Sequence, residues 1–496
     1  MSTRLLVTNA RVHTMDPAVP EAEAFLVEDG RIADIGRADA VRNRAAGAAT
    51  LDLQGRTVVP GFIDGHAHLI AAGFAATCLN VFGKRTIRDI LEAIRDDART
   101  VLRGGWVVAV GFDDTMVADR RYPTAAELDE IAPDHPVRVE RMDGHSCVLN
   151  TRALRALGVD SSWPGVERVD GELTGVLRAD ANNRAQAAFD AQIPREARES
   201  SFLRACRMAL SAGITSVHGI EPAGADAEIA LALRRETPLH TRLYVIADRV
   251  ADIPAGAEGL KLFVDGSMDS HTALLFGPYA DRPGTSGTFY QSPDTLRALA
   301  RDAEARGLQV ITHAIGDRGI DEALRAYEGL SSMRRHRIEH FELPLPEHPT
   351  LCSERGIVVS TQPAFVHLWD YTGFYVARVG RDRARTIHPY RTMVDRGMRL
   401  CGGSDAPVTP LDPLLGIHAA VHHPVPSERL TPDQALRMFT IDAAWAGHEE
   451  AERGSISVGK VADFVVLGDD PLGARRDAIN DIRVLETYVA GRRVPG

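Results

Sequence analysis

Eight short apolar segments recur through the middle of this chain: RTVVPGFID (56–64), ITSVHG (214–219), LHTRLYVI (239–246), GLKLFVDG (259–266), LQVITHA (308–314), HRIEHF (336–341), GIVVSTQ (356–362) and MRLCGGSD (398–405). Several are separated by stretches with helical spacing, such as PDTLRALARDAEARG and DRGIDEALRAYEGL. Strands buried on both faces read as near-continuous apolar runs, and strand–helix alternation imposes parallel order because parallel neighbours need a crossover. Eight such units predict a (β/α)8 barrel. Residues from about 75 to 200 do not follow the repeat. They hold a helical TIRDILEAIRDDARTVL, strand-like WVVAVGFDD and PVRVERMDGHS, and a turn-rich VERVDGELTGVLR. An insertion after the first strand leaves the barrel at its carboxyl end, where active sites sit, so it reads as a lid or substrate-selecting wall.

The two ends of the chain differ from the middle. LLVTNARVHTM, AFLVEDGRIADIG and TLDLQGRTVVP are short strand-like pieces, with Asp29-Gly30 placed as a hairpin turn. GSISVGKVADFVVLGDDP and IRVLETYVAGRRV repeat the style, after a helical TPDQALRMFTIDAAWAG with Thr431 as N-cap and Pro432 at the first position. Neither terminal piece is large enough for its own core, which predicts one β-sandwich composed of both. The expected organisation is residues 1–56 and 447–496 as the two parts of the sandwich, and 57–446 as the barrel.

A length of 496 residues suits a barrel of about 250 residues with an insertion and an accessory domain. The net charge of −11 argues against nucleic acid as a partner, since such proteins carry a basic face. No apolar run approaches the ~20 residues needed to span a bilayer, and MSTRLLVTNARVHTMD lacks the pattern of a secretory signal. Five cysteines without a C-x-x-C pair read as free thiols in a reducing compartment. A cytoplasmic protein without membrane or nucleic-acid partners is expected, with a homodimer as the default assembly.

Chemistry concentrates at the strand ends. His66 and His68 in VVPGFIDGHAHL are two apart, so on extended backbone their imidazoles face the same way and can converge on a metal ion. Lys261 lies in the fourth candidate strand, His313 and His340 end the fifth and sixth, and Asp405 follows the eighth. Potential ligands therefore gather at one rim. A plainer reading makes Lys261 a salt-bridging strand lysine and Asp405 a turn carboxylate.

The motifs PGFIDGHAH, DGHSCVLNTRAL, LKLFVDGSMDSHTALL, ITHAIGDRGIDEAL, RIEHFEL, GGSDAPV and GSISVGKVADFVVL occur in this order across nearly the whole chain. The pattern resembles the amidohydrolase superfamily of metal-dependent hydrolases, within it the branch that includes N-substituted formamide deformylases. The resemblance implies that His66, His68 and Asp405 hold one metal and His313 and His340 a second. It also implies a carbamate on Lys261 bridging the two. It implies zinc, one or two ions, with iron, manganese or nickel suited to similar ligands. Metal-bound water near pKa 7 would then be the nucleophile, and Asp405 the general base that returns the proton to the leaving nitrogen.

His145 matches a substrate-side position of this branch, with an exposed loop histidine as the plainer alternative. Asp317 and Arg318 are candidates to support the metal histidines from behind, or a helix-start ion pair. Phe365, Trp369, Tyr371, Phe374 and Tyr375 follow the seventh strand and suit an apolar or aromatic substrate group, or ordinary packing. His271 lies in a long Gly/Pro-rich loop where relatives commonly carry arginine, and is a further substrate-binding candidate. Cys78 stands near where the related D-aminoacylases use a cysteine ligand, but AATCLNV lacks their match. The reading that results is hydrolysis of a C–N bond in an amide-like small molecule of N-acyl or N-formyl type. Cyclic-amide hydrolysis or deamination is the alternative within the superfamily, and a non-catalytic metal-binding regulator the alternative of another class.

Overall fold

The computed structural model describes residues 4–368 and 373–495. At its centre, eight parallel strands follow one another in chain order: β1 (Phe62–Ala67), β2 (Ile214–Pro222), β3 (His240–Ile246), β4 (Gly259–Phe263), β5 (Gln309–Ala314), β6 (Arg337–His340), β7 (Val358–Thr361) and β8 (Leu400–Gly402). A parallel bridge between Ala67 and Ala406 joins the first strand to the segment after the last. Each of the eight segments expected from the sequence supplies one strand. Helices Pro293–Ala305 and Asp317–Ala326 flank β5, with Ser292 capping the first of them.

The first expected segment, 56–64, serves two sheets rather than one. Thr57–Pro60 pairs with Arg11–His13 and antiparallel with Phe464–Leu467, and only then does Phe62 open β1. Gly61 makes the junction possible, since a Cβ there would lie 2.2 Å from Thr215 Oγ1. The strand Phe464–Leu467 continues to Val484–Val489 and Arg492–Val494, so the amino- and carboxyl-terminal segments share one six-stranded sheet. A four-stranded sheet, ordered Arg31–Gly36, Ala24–Glu28, Arg4–Thr8 and Ala49–Asp52, faces it across a core of Val7, Phe25, Val27, Ile32, Val58, Phe464 and Val466. The Asp29-Gly30 turn has φ of 49° and 80°, the left-handed pair that a two-residue hairpin demands.

The expected single helix over TPDQALRMFTIDAAWAG is two, Pro432–Met438 and Ile441–Ala446, broken at Thr440. Thr431 caps the first through a reciprocal box with Gln434. Between β1 and β2 the inserted stretch builds its own six-stranded sheet, ordered Val166–Val169, Glu172–Arg178, Ser146–Leu149, Val137–Arg141, Val107–Phe112 and Leu79–Asn80. The five cysteines are unpaired, all but Cys78 buried. Among the described residues no helix is long and apolar enough to cross a membrane.

Candidate metal centre

The alternation along β1 does what the spacing predicts. Asp64, His66 and the following His68 project toward one rim of the barrel, where Asp405 meets them: its Oδ1 lies 3.3 Å from His66 Nε2 and 3.3 Å from His68 Nε2. Among the described residues these three form a group whose ligand atoms all lie within 4.8 Å of one another. Asp64 ties the two ends of the barrel together, accepting the amide N–H of His66 and of Ser404 at 3.0 Å each. Gly403 permits this approach, since a Cβ would fall 2.6 Å from the His66 amide nitrogen.

His313 and His340 stand beside the group. Their rings are 4.4 Å apart, and the His340 ring is 5.1 Å from that of His66. Burial drives the His313 imidazole well below its ordinary range and takes His340 down to about 3, and it also lowers His68. All three are thus held in the neutral form that binds metals. Burial of the Asp405 carboxyl would raise it, but the charge of His66 and the close contacts of His66 and His68 hold it well below the usual carboxylate range. Among the described residues, the buried His66 Nε2 and His340 Nδ1 have no hydrogen-bond partner. Unsatisfied buried imidazole nitrogens next to an ionised carboxylate are the donor set of a divalent transition metal.

Lys261, 1% exposed, lies among these groups, and its charge acts on His68, His313 and His340. Burial lowers its amine to about 8 against the pull of Glu339 and Asp405. Neutral amine is therefore accessible near physiological pH.

Two carboxylates that the sequence reading did not single out support the histidines. Glu339 Oε2 is 2.5 Å from His66 Nδ1, and Arg337 holds the same carboxylate through two hydrogen bonds of 2.8 Å. Arg337 also donates to the Gly65 carbonyl, Ser360 Oγ and His218 Nδ1, and His218 Nε2 reaches Glu449 at 3.2 Å. A buried polar chain thus runs from His66 through the barrel interior to the segment after β8. On the other side, Asp265 Oδ1 lies 3.6 Å from His313 Nε2, fixed by the amide N–H groups of Leu274, Ile315 and Gly316.

Asp317 and Arg318, expected behind the metal histidines, are engaged elsewhere. Asp317 accepts the Phe276 amide at the start of its helix, and the Arg318 guanidinium lies over the Phe289 ring. The place proposed for them is taken by Glu339 behind His66 and, behind His313, by the Gly266 carbonyl 3.2 Å from its Nε2.

A cavity above the centre is lined by Asp405, His313, His340, His145, Asp143, Asp269, Glu342, Phe365, Phe374 and Tyr375, among others. His145 comes from the insertion, its Nδ1 2.8 Å from the Tyr290 hydroxyl and its backbone held by Asp143. Arg141 anchors that corner with Asp113 at 3.0 Å, Asp114 at 2.8 Å, Asp143 at 3.2 Å and Asp269 at 2.8 Å. His271 is outside the lining: its Nε2 is 3.1 Å from Asp281, and its ring lies against Tyr279. Trp369 and Tyr371 lie outside the described residues. Cys78 packs beneath the insertion, with burial raising its thiol to about 12.

Comparison with known proteins agrees with this fold. The family model described as "Amidohydrolase family" matches residues 49–495. The N-substituted formamide deformylase of Arthrobacter pascens is 30% identical over 98% of this chain and 97% of its own length. Protein LONG AFTER FAR-RED 3 of Arabidopsis thaliana is 30% identical over 99% of this chain and 91% of its own. An uncharacterized metal-dependent hydrolase from Pyrococcus furiosus superposes with a TM-score of 0.79, at 27% identity, covering 95% of this chain and all of the other. The chain belongs to the amidohydrolase family, and is a metal-dependent hydrolase with a barrel and a composite sandwich.

Proposed function

We propose that this protein hydrolyses the C–N bond of a small amide, of N-acyl or N-formyl type. The observation that carries the reading is the convergence of His66, His68 and Asp405 within 4.8 Å at the base of a cavity that His313 and His340 also line. Zinc is the ion that the imidazole-rich set favours, with His66, His68 and Asp405 holding one ion and His313, His340 and a carbamylated Lys261 available to a second. When bound, the metal supplies acidified water at neutral pH and polarises the substrate carbonyl.

The chain's own residues do the rest. Asp405 is ionised and faces the cavity, so its free carboxylate oxygen can take a proton from water and deliver it to the departing nitrogen. His145, kept neutral by burial and oriented by Tyr290, is placed to hydrogen-bond the carbonyl side of a bound amide. Phe365, Phe374 and Tyr375 exclude water and offer an apolar wall. The likeness to a formamide deformylase supports the amide class.

Metal content of the wild type, Asp405→Asn and Lys261→Ala, measured beside hydrolysis of a panel of formamides and N-acyl amines, tests the reading. About two zinc ions per chain are expected, falling in Lys261→Ala, with a rate loss of ~10²-fold or more in Asp405→Asn. Metal retained with no hydrolysis of any amide would instead point to a binding protein built on the same fold.

A further inference from the structure

The polar chain behind His66 has a single direction of hydrogen bonding, and its far end sets that direction. Arg337 and Glu339 stand two apart on β6, share a face and are fully buried. A guanidinium carries only donors, so His218 Nδ1, 2.8 Å from Arg337 Nη1, offers a lone pair. The ring hydrogen of His218 is thereby placed on Nε2, which donates to Glu449 Oε2 at 3.2 Å. Glu449 is the fixed acceptor at the end of the chain. Its carboxylate also takes the Ser216 hydroxyl at 3.2 Å and Arg453 Nη1 at 3.1 Å. Ser216 and His218 are two apart on β2 and reach Glu449 from one face. The imidazole has little room to turn away: a Cβ on Gly447 would lie 2.4 Å from its Nε2. On the other side the Tyr244 ring covers the Arg337 guanidinium, 5.2 Å from centroid to carbon.

Without Glu449 to hold it, the His218 hydrogen is free to sit on Nδ1, where it would face an Arg337 N–H donor against donor in a fully buried place. Arg337 relieves such a clash only by turning, and Glu339 then loses the two hydrogen bonds that aim it at His66 Nδ1. We infer that His218 and Glu449 are positioning residues of the metal centre. They act through Arg337 and Glu339 to keep the His66 Nε2 lone pair turned toward the ion. The inference rests on the metal-binding part of the proposed function and is independent of which bond is cleaved.

Zinc affinity by chelator competition and the visible spectrum of the cobalt(II) form are measured on the full-length wild type, His218→Leu, His218→Asn and Glu449→Gln. Asparagine presents its amide oxygen roughly where the imidazole has Nδ1, so it still accepts from Arg337; leucine does not. In His218→Leu zinc affinity is expected to fall about ten-fold or more, with an altered cobalt spectrum as His66 shifts. In His218→Asn it should stay within about three-fold of the wild type, while Glu449→Gln should lose affinity as the leucine variant does. Wild-type affinity and spectrum in His218→Leu overturn the inference. So does an equal loss in His218→Leu and His218→Asn, which marks a packing role alone. If His218→Leu does not fold, Glu449→Gln decides, and an unchanged affinity and spectrum there overturn the inference. Hydrolysis of formamides and N-acyl amines by the same preparations keeps the two claims apart. Affinity losses in the variants with no hydrolysis by the wild type refute the proposed reaction and leave the positioning role standing. Hydrolysis by the wild type with unchanged metal binding in every variant does the reverse.

Discussion

At the scale of single residues, the tautomer of His66 is set by its neighbour. With Glu339 Oε2 2.5 Å from Nδ1, the ring hydrogen belongs on Nδ1, and the Nε2 lone pair is left for a metal. Glu339→Gln should lower zinc affinity by about 10–100-fold in chelator competition. Unchanged affinity would remove Glu339 from the centre. Glu221, at the end of β2, makes a separate prediction. Burial raises its carboxyl to about 8 although it accepts the Ile70 amide. The folded protein therefore keeps a proton that the unfolded chain has released, and this contribution to stability is lost as pH climbs from about 4.5 toward 8. Glu221→Gln should flatten that part of the stability–pH curve and raise the melting temperature at pH 8; an identical slope in the variant would show that the carboxyl is ionised throughout. His66 and His68 were legible in the sequence because strand alternation needs no partner to be interpreted, and Asp405 because it follows the last strand in a motif that resembles the family's. Glu339 and Asp265 were not, since their work depends on which strand lies next door.

The elements of the barrel were readable from apolar runs, yet the ends of strands obey other rules. Along β6, alternation should send Glu339 and His340 to opposite sides, but Glu339 touches His66 and the His340 ring also comes within 5.1 Å of it. Left-handed backbone at His340 and Phe341, with φ of 73° and 52°, turns the chain so that consecutive residues reach the same centre. Asp405, with φ of 56°, does likewise after β8. Such conformations are disfavoured for residues other than glycine and cluster where geometry serves a site. The insertion is fastened to the barrel by the same economy of means: Arg141, on its strand Val137–Arg141, binds Asp269 in the loop after β4. Arg141→Met would leave four carboxylates facing one another. A loss of about 3–5 kcal/mol in denaturant unfolding is expected, with a raised KM as His145 loses its support. A stability change under about 1 kcal/mol would mean that the cluster repacks or takes up protons. The division of 56–64 between two sheets escaped the sequence reading because Pro60-Gly61 reads equally well as a bend within one strand.

Across the whole molecule, the sandwich was anticipated from two terminal pieces too small to stand alone, while the buried chain of charge through the barrel was not. Arg337, Glu339, His218 and Glu449 come from three separated stretches, and only the closed barrel brings them together. The shared terminal sheet also fixes an order of events in time. Val58 and Val59 find their antiparallel partners in Val466 and Val465, and His13 meets Asp470 across 457 residues of sequence. A ribosome releases the early strands long before their mates exist, so the growing chain carries an apolar edge open to the wrong neighbours. Completion of this sheet must wait for residues 464–494, and that late segment is the one that turns a waiting edge into a finished sheet.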